Sequence, residues 1–313
     1  MTTTTTEGIH HITAFVNDVQ ETVDFYAGVL GLRLVKKTIN FDAPEIYHLY
    51  FGNELGEPGT IVTFFPQENA RQGILGGGQV GVTVYAIPAG SLFYWRERLK
   101  KYEIKCMDTT RFGEDFVRFT DPSGLLIDLV EREEGKINTW SFSGIPQKYA
   151  IKGFGGALLF SRDSSKTALV LENVLGLERI DTEDGLIRYK SRGNLGNIID
   201  LNAENMESGL GGAGTVHHIA WRVKDYDEQL LLHNLLDAIG FQPTPVVNRQ
   251  YFKAVYFREG GGILFEIATD PPGFATDEPE ESLGEQLMLP DWYESERTAI
   301  ESMLKPFEVR SLE

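Results

Sequence analysis

Hydrophobic and polar positions follow a pattern that occurs four times along the chain. In each copy, apolar residues first alternate with polar ones, as in a strand, and then recur at the spacing of an amphipathic helix. About three further strand-like stretches close each copy. The copies cover residues 8–68, 79–133, 152–204 and 214–270. The sequence therefore predicts an α+β fold built from four βαβββ modules in tandem.

The first and fourth modules resemble each other most closely, because each begins with a histidine doublet. The doublets stand in "HHITAFV" and "HHIAWRV", and each strand is followed by a polar turn with an aspartate. In the fourth module, Leu231, Leu235 and Ile239 are predicted to form one apolar face of the helix. Gly240 is predicted to end that helix, because glycine readily adopts the conformation that closes a helix.

The four modules fall into two halves that are separated by a linker at residues 135–152. We predict an N-terminal domain over residues 1–135 with modules one and two, and a C-terminal domain over residues 150–272 with modules three and four. An acidic, proline-containing tail with a short helix, residues 273–313, is expected to pack on the body of the protein.

The composition is that of an ordinary soluble protein, with 42% hydrophobic and 24% charged residues. No apolar run approaches the roughly 20 residues of a membrane span, and the first residues lack the basic and apolar segments of a signal peptide. The single Cys106 suits a reducing, cytoplasmic setting. A formal charge of −17 argues against nucleic acid as a partner, because nucleic acid requires a positive surface.

Strand alternation assigns the members of each doublet to opposite faces. His10 and His217 each share a strand face with an uninterrupted series of apolar residues, and these faces are expected to pack against the helices. His11 and His218 are then left on the more polar face, where they can line a cavity. The same alternation, applied to "GILFEIATD", places Glu266 on the cavity side. The sequence thus predicts two imidazoles and one carboxylate on a single face.

Such a set suits a mononuclear Fe(II) site that activates O2, because three protein ligands leave other coordination positions open. His11 belongs to module one, whereas His218 and Glu266 belong to module four, so these two modules must pair around the metal. Modules two and three are then expected to pair as a structural unit. The residues alone also allow a simpler interpretation, in which the histidines are ordinary core or surface groups and the glutamate pairs with a lysine or arginine.

The inner modules keep a carboxylate but lack the histidines. Asp128 and Asp200 stand at the place of Glu266, and small or apolar residues stand at the place of the doublets. We therefore expect these aspartates to be ion-paired or hydrogen-bonded. His48 and His233, the remaining histidines of the six, are interpreted as structural.

The chain resembles the vicinal oxygen chelate superfamily of glyoxalases, bleomycin resistance proteins and ring-cleaving dioxygenases, and more narrowly its extradiol branch that acts on hydroquinones. The segments that carry the resemblance extend over nearly the whole chain. They are "GIHHIT", "IYHLYFGNELGEPGTIVTFFP", "YAIPAGSL", "RFGEDFVRFTDPSG", "GTVHHIAW" and "YFREGGGILFEIATDPPGF". The resemblance implies a fold of βαβββ modules around a metal held by the second histidine of each doublet and the glutamate of the last strand.

The resemblance also implies roles for residues around the metal. Thr13, Arg249 and Tyr256 match positions that contact the substrate, and the latter two are expected to take part in catalysis. His217 matches a residue that acts in proton transfer, with His10 placed close by at the substrate. Strand alternation argues against these last two roles, since it points His10 and His217 towards the helices.

The predicted function is Fe(II)-dependent, extradiol-type cleavage of hydroquinone- or catechol-like rings with O2, with Mn(II) as the alternative metal and a homo-oligomer as a further expectation. One alternative is a glyoxalase-type metal-dependent isomerase. Such enzymes often use four protein ligands, and module one offers only Thr63 at the place of Glu266. The other alternative is a non-catalytic protein that binds small molecules or confers resistance to them. Such a protein has no evident use for a three-ligand metal site with open coordination positions.

Overall fold

Two mixed β-sheets of eight strands each form the frame of the protein. The structure is a computed structural model that describes residues 5–313. The first module contributes β1 (Ile9–Val16), β2 (Arg33–Asn40), β3 (Ala43–Gly52) and β4 (Ile61–Pro66). The second contributes β5 (Gln79–Ile87), β6 (Met107–Arg111), β7 (Glu114–Thr120) and β8 (Leu126–Glu131). The third contributes β9 (Gly153–Phe160), β10 (Glu178–Glu183), β11 (Leu186–Lys190) and β12 (Ile198–Asn202).

The fourth module contributes β13 (Thr215–Val223), β14 (Val247–Asn248), β15 (Phe252–Arg258) and β16 (Leu264–Pro272). The α-helices are α1 (Val19–Val23), α2 (Leu92–Lys101), α3 (Ser164–Asn173), α4 (Tyr226–Ala238) and α5 (Arg297–Met303). A wider π-helical turn, Asp24–Val29, continues α1. Each module thus has the predicted order of one strand, one helix and three strands.

The order of strands confirms how the modules pair. The first sheet runs β14-β15-β16-β13-β1-β4-β3-β2, so it joins module four to module one through the antiparallel pair β1 and β13. The second sheet runs β10-β11-β12-β9-β5-β8-β7-β6 and joins modules three and two in the same way. Each sheet therefore takes one module from each half of the chain. The domain boundaries expected near residues 135, 150 and 272 stay a prediction.

An aspartate stands at the start of three of the helices. The side chains of Asp18, Asp163 and Asp225 accept hydrogen bonds from backbone N–H groups of the first turn, which satisfies donors that a helix end leaves free.

The sequence predicts the wrong buried face for α4. Leu231, Leu235 and Ile239 are exposed, with 60%, 40% and 50% of their surface accessible. The helix instead buries Gln229, Leu232 and Leu236. Gln229 can be buried because its amide donates to the backbone carbonyls of Lys253 and Ile267 at 2.8 Å each.

The tail over residues 273–313 lies against the first sheet. Phe274 packs on Tyr50, with ring centroids 5.1 Å apart. The fully buried Nζ of Lys36 donates to Asp277 at 2.6 Å and also contacts Glu278, so two tail carboxylates neutralise a buried cation. None of the helices in the described part of the chain is long and apolar enough to cross a membrane.

Candidate metal centre and its cavity

A bulge in β1 changes how the side chains of the first histidine doublet are oriented. Ile9 pairs with Trp221 and His11 pairs with the next residue back, Ala220, so His10 is an extra residue without a partner opposite. The ring of His10 consequently lies beside that of His11, with their Nδ1 atoms 2.9 Å apart.

The second doublet repeats this feature in β13. Thr13 pairs with His218 and Ala14 pairs with Val216, so His217 is the extra residue. Its Nδ1 lies 2.7 Å from the Nδ1 of His218. The expectation that His217 faces the helices is therefore wrong, and the same correction applies to the ring of His10. Alternation fails because each strand gains one residue at the doublet.

The structure brings the three predicted ligands together at the junction of β1, β13 and β16. The Nε2 atoms of His11 and His218 lie 3.3 Å and 2.9 Å from Oε2 of Glu266, and 3.2 Å from each other. One ligand atom from each side chain falls within a span of 4.8 Å, and all three residues are buried. Two imidazoles and one carboxylate thus converge on a single point.

The donor set fits a divalent cation. Among the described residues, neither carboxylate oxygen of Glu266 has a partner in a hydrogen bond of good geometry, although the side chain is completely buried. An unpaired buried carboxylate is costly, and a cation offsets that cost. Burial lowers the pKa of His218, so its imidazole is neutral, as a metal ligand must be.

The first member of each doublet orients the second. If His11 and His218 offer their Nε2 atoms to a metal, their Nδ1 atoms must carry the hydrogen. Each Nδ1–H then donates to the Nδ1 of its neighbour, His10 or His217. A hydrogen bond of this kind fixes the tautomer and the ring orientation of a ligating histidine.

A cavity of about 330 Å³ opens above this cluster. Aromatic and aliphatic side chains form much of its wall, namely Phe15, Phe41, Phe65, Phe252 and Leu264. Its volume lies at the small end of the range for ligand pockets, which suits a ligand with a single ring. His217, Arg249 and Tyr256 line the cavity, whereas His10 and Thr13 do not, and the roles of these five residues towards a substrate stay predictions.

Arg249 and Tyr256 form a polar pair in the wall of the cavity. Arg249 Nε donates to the hydroxyl oxygen of Tyr256 at 3.1 Å, and an outer guanidinium nitrogen reaches Asp42 at 3.0 Å. Burial, and secondarily Glu266, raise the pKa of Tyr256 well above its usual value. The tyrosine therefore keeps its proton and can donate a hydrogen bond to an oxygen in the cavity.

His48, interpreted from sequence as structural, also lines the cavity. Its Nε2 lies 2.8 Å from the Thr63 hydroxyl, which lies 2.8 Å from the hydroxyl of Thr13. Its Nδ1 lies 2.9 Å from the hydroxyl of Tyr50. A continuous chain of hydrogen bonds thus runs from Thr13 to Tyr50. Sequence reasoning missed it because its members lie on three different strands.

One direction of this chain leaves its unpaired hydroxyl hydrogen at the cavity, and the other leaves it inside the protein. If Tyr50 donated to His48, the hydrogens would all point the other way and the completely buried Thr13 hydroxyl would have no acceptor among the described residues. In the opposite direction Thr13 donates to Thr63, Thr63 to His48 and His48 to Tyr50. The hydroxyl hydrogen of Tyr50 is then free to donate into the cavity, which Tyr50 lines.

The register of the strands explains why module one supplies no carboxylate. Thr13 pairs with Thr63 across β1 and β4, as Ala220 pairs with Glu266 across β13 and β16. Thr63 therefore occupies the place of Glu266, as predicted, and its hydroxyl is engaged by His48 and Thr13.

In the second sheet, arginines pair with the two aspartates that stand at the place of Glu266. Arg111 reaches both Asp128 and Asp200 at 2.7 Å, and Arg118 and Arg188 each bind one of these aspartates at 2.7 Å. The prediction that the inner aspartates are ion-paired is confirmed.

Comparisons with known proteins place the chain in a family. The sequence model of the Glyoxalase/Bleomycin resistance protein/Dioxygenase superfamily matches residues 8–129. The chain is 58% identical to the Bacillus subtilis protein named "Putative ring-cleaving dioxygenase MhqO", over 98% of this chain and 99% of that protein. It is 34% identical to the "Chlorohydroquinone/hydroquinone 1,2-dioxygenase" of Sphingobium indicum, over 90% and 91% of the two chains.

A solved structure supports the same assignment. The crystal structure of a Bacillus subtilis protein described as a "putative dioxygenase" superposes with a TM-score of 0.98 at 57% identity, covering 98% of this chain and 99% of the other. The chain belongs to the glyoxalase/bleomycin resistance protein/dioxygenase superfamily, in the same branch as these ring-cleaving dioxygenases.

Proposed function

We propose that this chain is a cytoplasmic, Fe(II)-dependent dioxygenase that opens the ring of hydroquinone- or catechol-like aromatics with O2. The observation that carries the proposal is the convergence of His11, His218 and Glu266 at the base of a small aromatic cavity. A relative that is named a hydroquinone 1,2-dioxygenase supports a hydroquinone as the substrate. Mn(II) is the alternative metal, because imidazole and carboxylate ligands also accept it.

His11, His218 and Glu266 would hold the metal. When bound, iron polarises a phenolic oxygen and supplies the electron-transfer chemistry that O2 requires. The protein contributes orientation and fixed hydrogen bonds. Tyr256, held by Arg249, donates to one oxygen of the ring, and the guanidinium stabilises negative charge that develops there. The aromatic wall excludes water from the ring.

His217 is placed to move a proton within the cavity. Its Nδ1 accepts from His218, so its Nε2 carries the hydrogen, and among the described residues nothing else binds that nitrogen. The imidazole lines the cavity, where Nε2–H can donate to an oxygen atom of the substrate.

Oxygen consumption tests the proposal directly. Protein loaded with Fe(II) under anaerobic conditions is expected to consume O2 when hydroquinone or catechol is added, and to place both atoms of isotopically labelled O2 in the product. A parallel sample loaded with Mn(II) identifies the metal. If stoichiometric iron is bound and neither aromatic causes oxygen uptake, the proposal is wrong.

Tyr50→Phe tests the direction of the hydrogen-bond chain. We expect kcat/KM for hydroquinone to fall roughly 3- to 10-fold, because the substrate loses one neutral hydrogen bond. Steady-state oxygen uptake measures the change. Tyr85→Phe is the matched control, since the Tyr85 hydroxyl is buried in the second sheet without a partner among the described residues. An unchanged kcat/KM in Tyr50→Phe would show that this hydroxyl does not donate to the substrate.

A further inference from the structure

A second cavity, of about 320 Å³, adjoins the first. His217 and Phe15 line both cavities, so the two are separated by these side chains. Much of the remaining wall consists of glycine-rich turns that include Gly78, Gly209 and Gly262. Glycines leave backbone N–H groups open to a ligand. The second cavity is thus lined largely by glycine backbone and polar side chains, and it borders the first cavity at His217.

Two arginines, Arg162 and Arg258, line this cavity. Arg162 Nε donates to the carbonyl of Gly261 at 3.2 Å, and Arg258 donates through Nη1 to the carbonyl of Gly262 at 2.6 Å. The adjacent carbonyls of one turn therefore hold both guanidinium groups. In the part of the chain that the structure describes, neither arginine forms an ion pair with a carboxylate. Both residues are exposed to solvent, so their charges are accessible to a ligand.

The nearest acidic residue in the turn is already engaged. Glu259 accepts hydrogen bonds from the backbone N–H groups of Gly261 at 2.6 Å and Ile263 at 2.7 Å, and from the hydroxyl of Thr167 at 2.8 Å. Both of its oxygens are used in this way, and the side chain is buried. It therefore shapes the turn that carries the two arginines. The charge of Arg162 acts on this carboxylate, but among the described residues the two side chains form no ion pair.

Glycine is required where Arg162 rests on the turn. A Cβ atom on Gly262 would lie 2.0 Å from a terminal nitrogen of Arg162, and one on Gly77 would lie 2.7 Å from its Cγ. Gly262 also has a φ of +95°, which other residues rarely adopt. The glycines of this turn thus leave room for the Arg162 side chain close to the backbone.

We propose that the second cavity is a carboxylate-binding site that receives the acid end of the ring-opened product. This inference rests on the proposed function. Cleavage of hydroquinone adds both atoms of O2 across one carbon–carbon bond of the ring. The O–O bond and that carbon–carbon bond break, the hydroxylated carbon becomes a carboxylic acid, and its neighbour becomes an aldehyde. The acid then releases its proton to solvent at neutral pH, because carboxyl pKa values lie near 4.

The two arginines distinguish the product from the substrate by charge. The aromatic substrate is neutral and gains little from an unpaired guanidinium, whereas a carboxylate binds it through charge-assisted, often bidentate hydrogen bonds. Because His217 and Phe15 line both cavities, the two cavities are neighbours, and the proposal requires the acid end to pass these side chains while the rest of the product lies near the metal cluster. Product thereby vacates the first cavity in the direction of the second.

Binding of trans,trans-muconate, an unsaturated six-carbon dicarboxylate, tests this site without turnover. Calorimetry is performed on the full-length, Fe(II)-loaded protein under anaerobic conditions. We expect Arg162→Gln and Arg258→Gln each to weaken muconate binding about 10-fold, because each removes a charge-assisted hydrogen bond. Arg179→Gln is the matched control, since among the described residues Arg179 also lacks an ion pair, and its guanidinium donates to Thr182 on the exposed strand β10. The dimethyl ester of muconate is expected to show no dependence on either arginine.

Equal muconate affinity in the wild-type protein and in the Arg162→Gln, Arg258→Gln double variant would overturn the site. If inorganic phosphate binds with the same affinity as muconate, the site is not selective for a carboxylate. Because binding is measured without turnover, the two proposals can fail separately. Arginine-dependent muconate binding without oxygen uptake contradicts only the dioxygenase activity, and oxygen uptake without such binding contradicts only the carboxylate site.

Discussion

Replacing His218 with alanine is expected to weaken Fe(II) binding by at least about 100-fold and to abolish oxygen uptake. Residues that merely support a metal ligand are worth 10- to 100-fold in affinity, so the loss of a ligand should cost no less. The variant also leaves the buried carboxylate of Glu266 with one imidazole, His11 at 3.3 Å, instead of two. Iron content after gel filtration and calorimetric titration with Fe(II) measure the change.

His233→Ala is the matched control for this experiment, because His233 is a half-buried histidine on α4. It should bind iron as the wild-type protein does. Thermal unfolding of both metal-free variants verifies that they fold. If folded His218→Ala retains stoichiometric iron, His218 is not a ligand and the proposed metal centre is wrong.

Replacing Arg111 with methionine is expected to lower the free energy of unfolding by about 3 kcal/mol. Arg111 is buried and bridges Asp128 and Asp200 at 2.7 Å each, so its removal takes a positive charge from between two buried carboxylates. Arg118 and Arg188 still bind one aspartate each, which keeps the loss at the lower end of the range for a broken buried ion pair. Denaturant unfolding measures the change.

Arg96→Met provides the comparison. Arg96 also pairs with an aspartate, Asp108 at 2.8 Å, but both side chains are exposed. We expect it to cost less than about 1 kcal/mol, because solvent screens exposed pairs. A loss for Arg111→Met as small as that of the control would mean that the buried network does not depend on Arg111.

The sequence predicted the modules, the pairing of the sheets and the cluster of His11, His218 and Glu266. These predictions succeeded because they rest on repetition, since equivalent strands of two modules place equivalent residues at one junction. The part of each residue in holding a metal stays a prediction. The pairing of modules one and four was inferred from the chemistry of the ligands, and the order of strands confirms it.

Strand alternation could not predict which side of the sheet the imidazoles of His10 and His217 face. An extra residue in a strand leaves no mark in the hydrophobic pattern, because the bulge is defined only by the register with the opposite strand. The same limit applies to His48. Its place in the hydrogen-bond chain depends on contacts with Thr63 and Tyr50, which form only in the folded sheet. The face of α4 was misjudged because Leu231 and Leu232 are both leucines, and only the packing decides which is buried.

The N-terminal half of the chain leaves the ribosome with two central strands that lack a neighbour. β1 pairs with β13, and β5 pairs with β9, and both partners are made later. During synthesis, the N-terminal part of each sheet therefore has an open edge. Strand β13 begins at Thr215, which at 5–20 residues per second follows β1 by roughly 10 to 40 seconds. Open edges of this kind invite pairing with other chains. Nascent molecules therefore need protection from aggregation until the C-terminal half emerges, and they cannot acquire a metal before then.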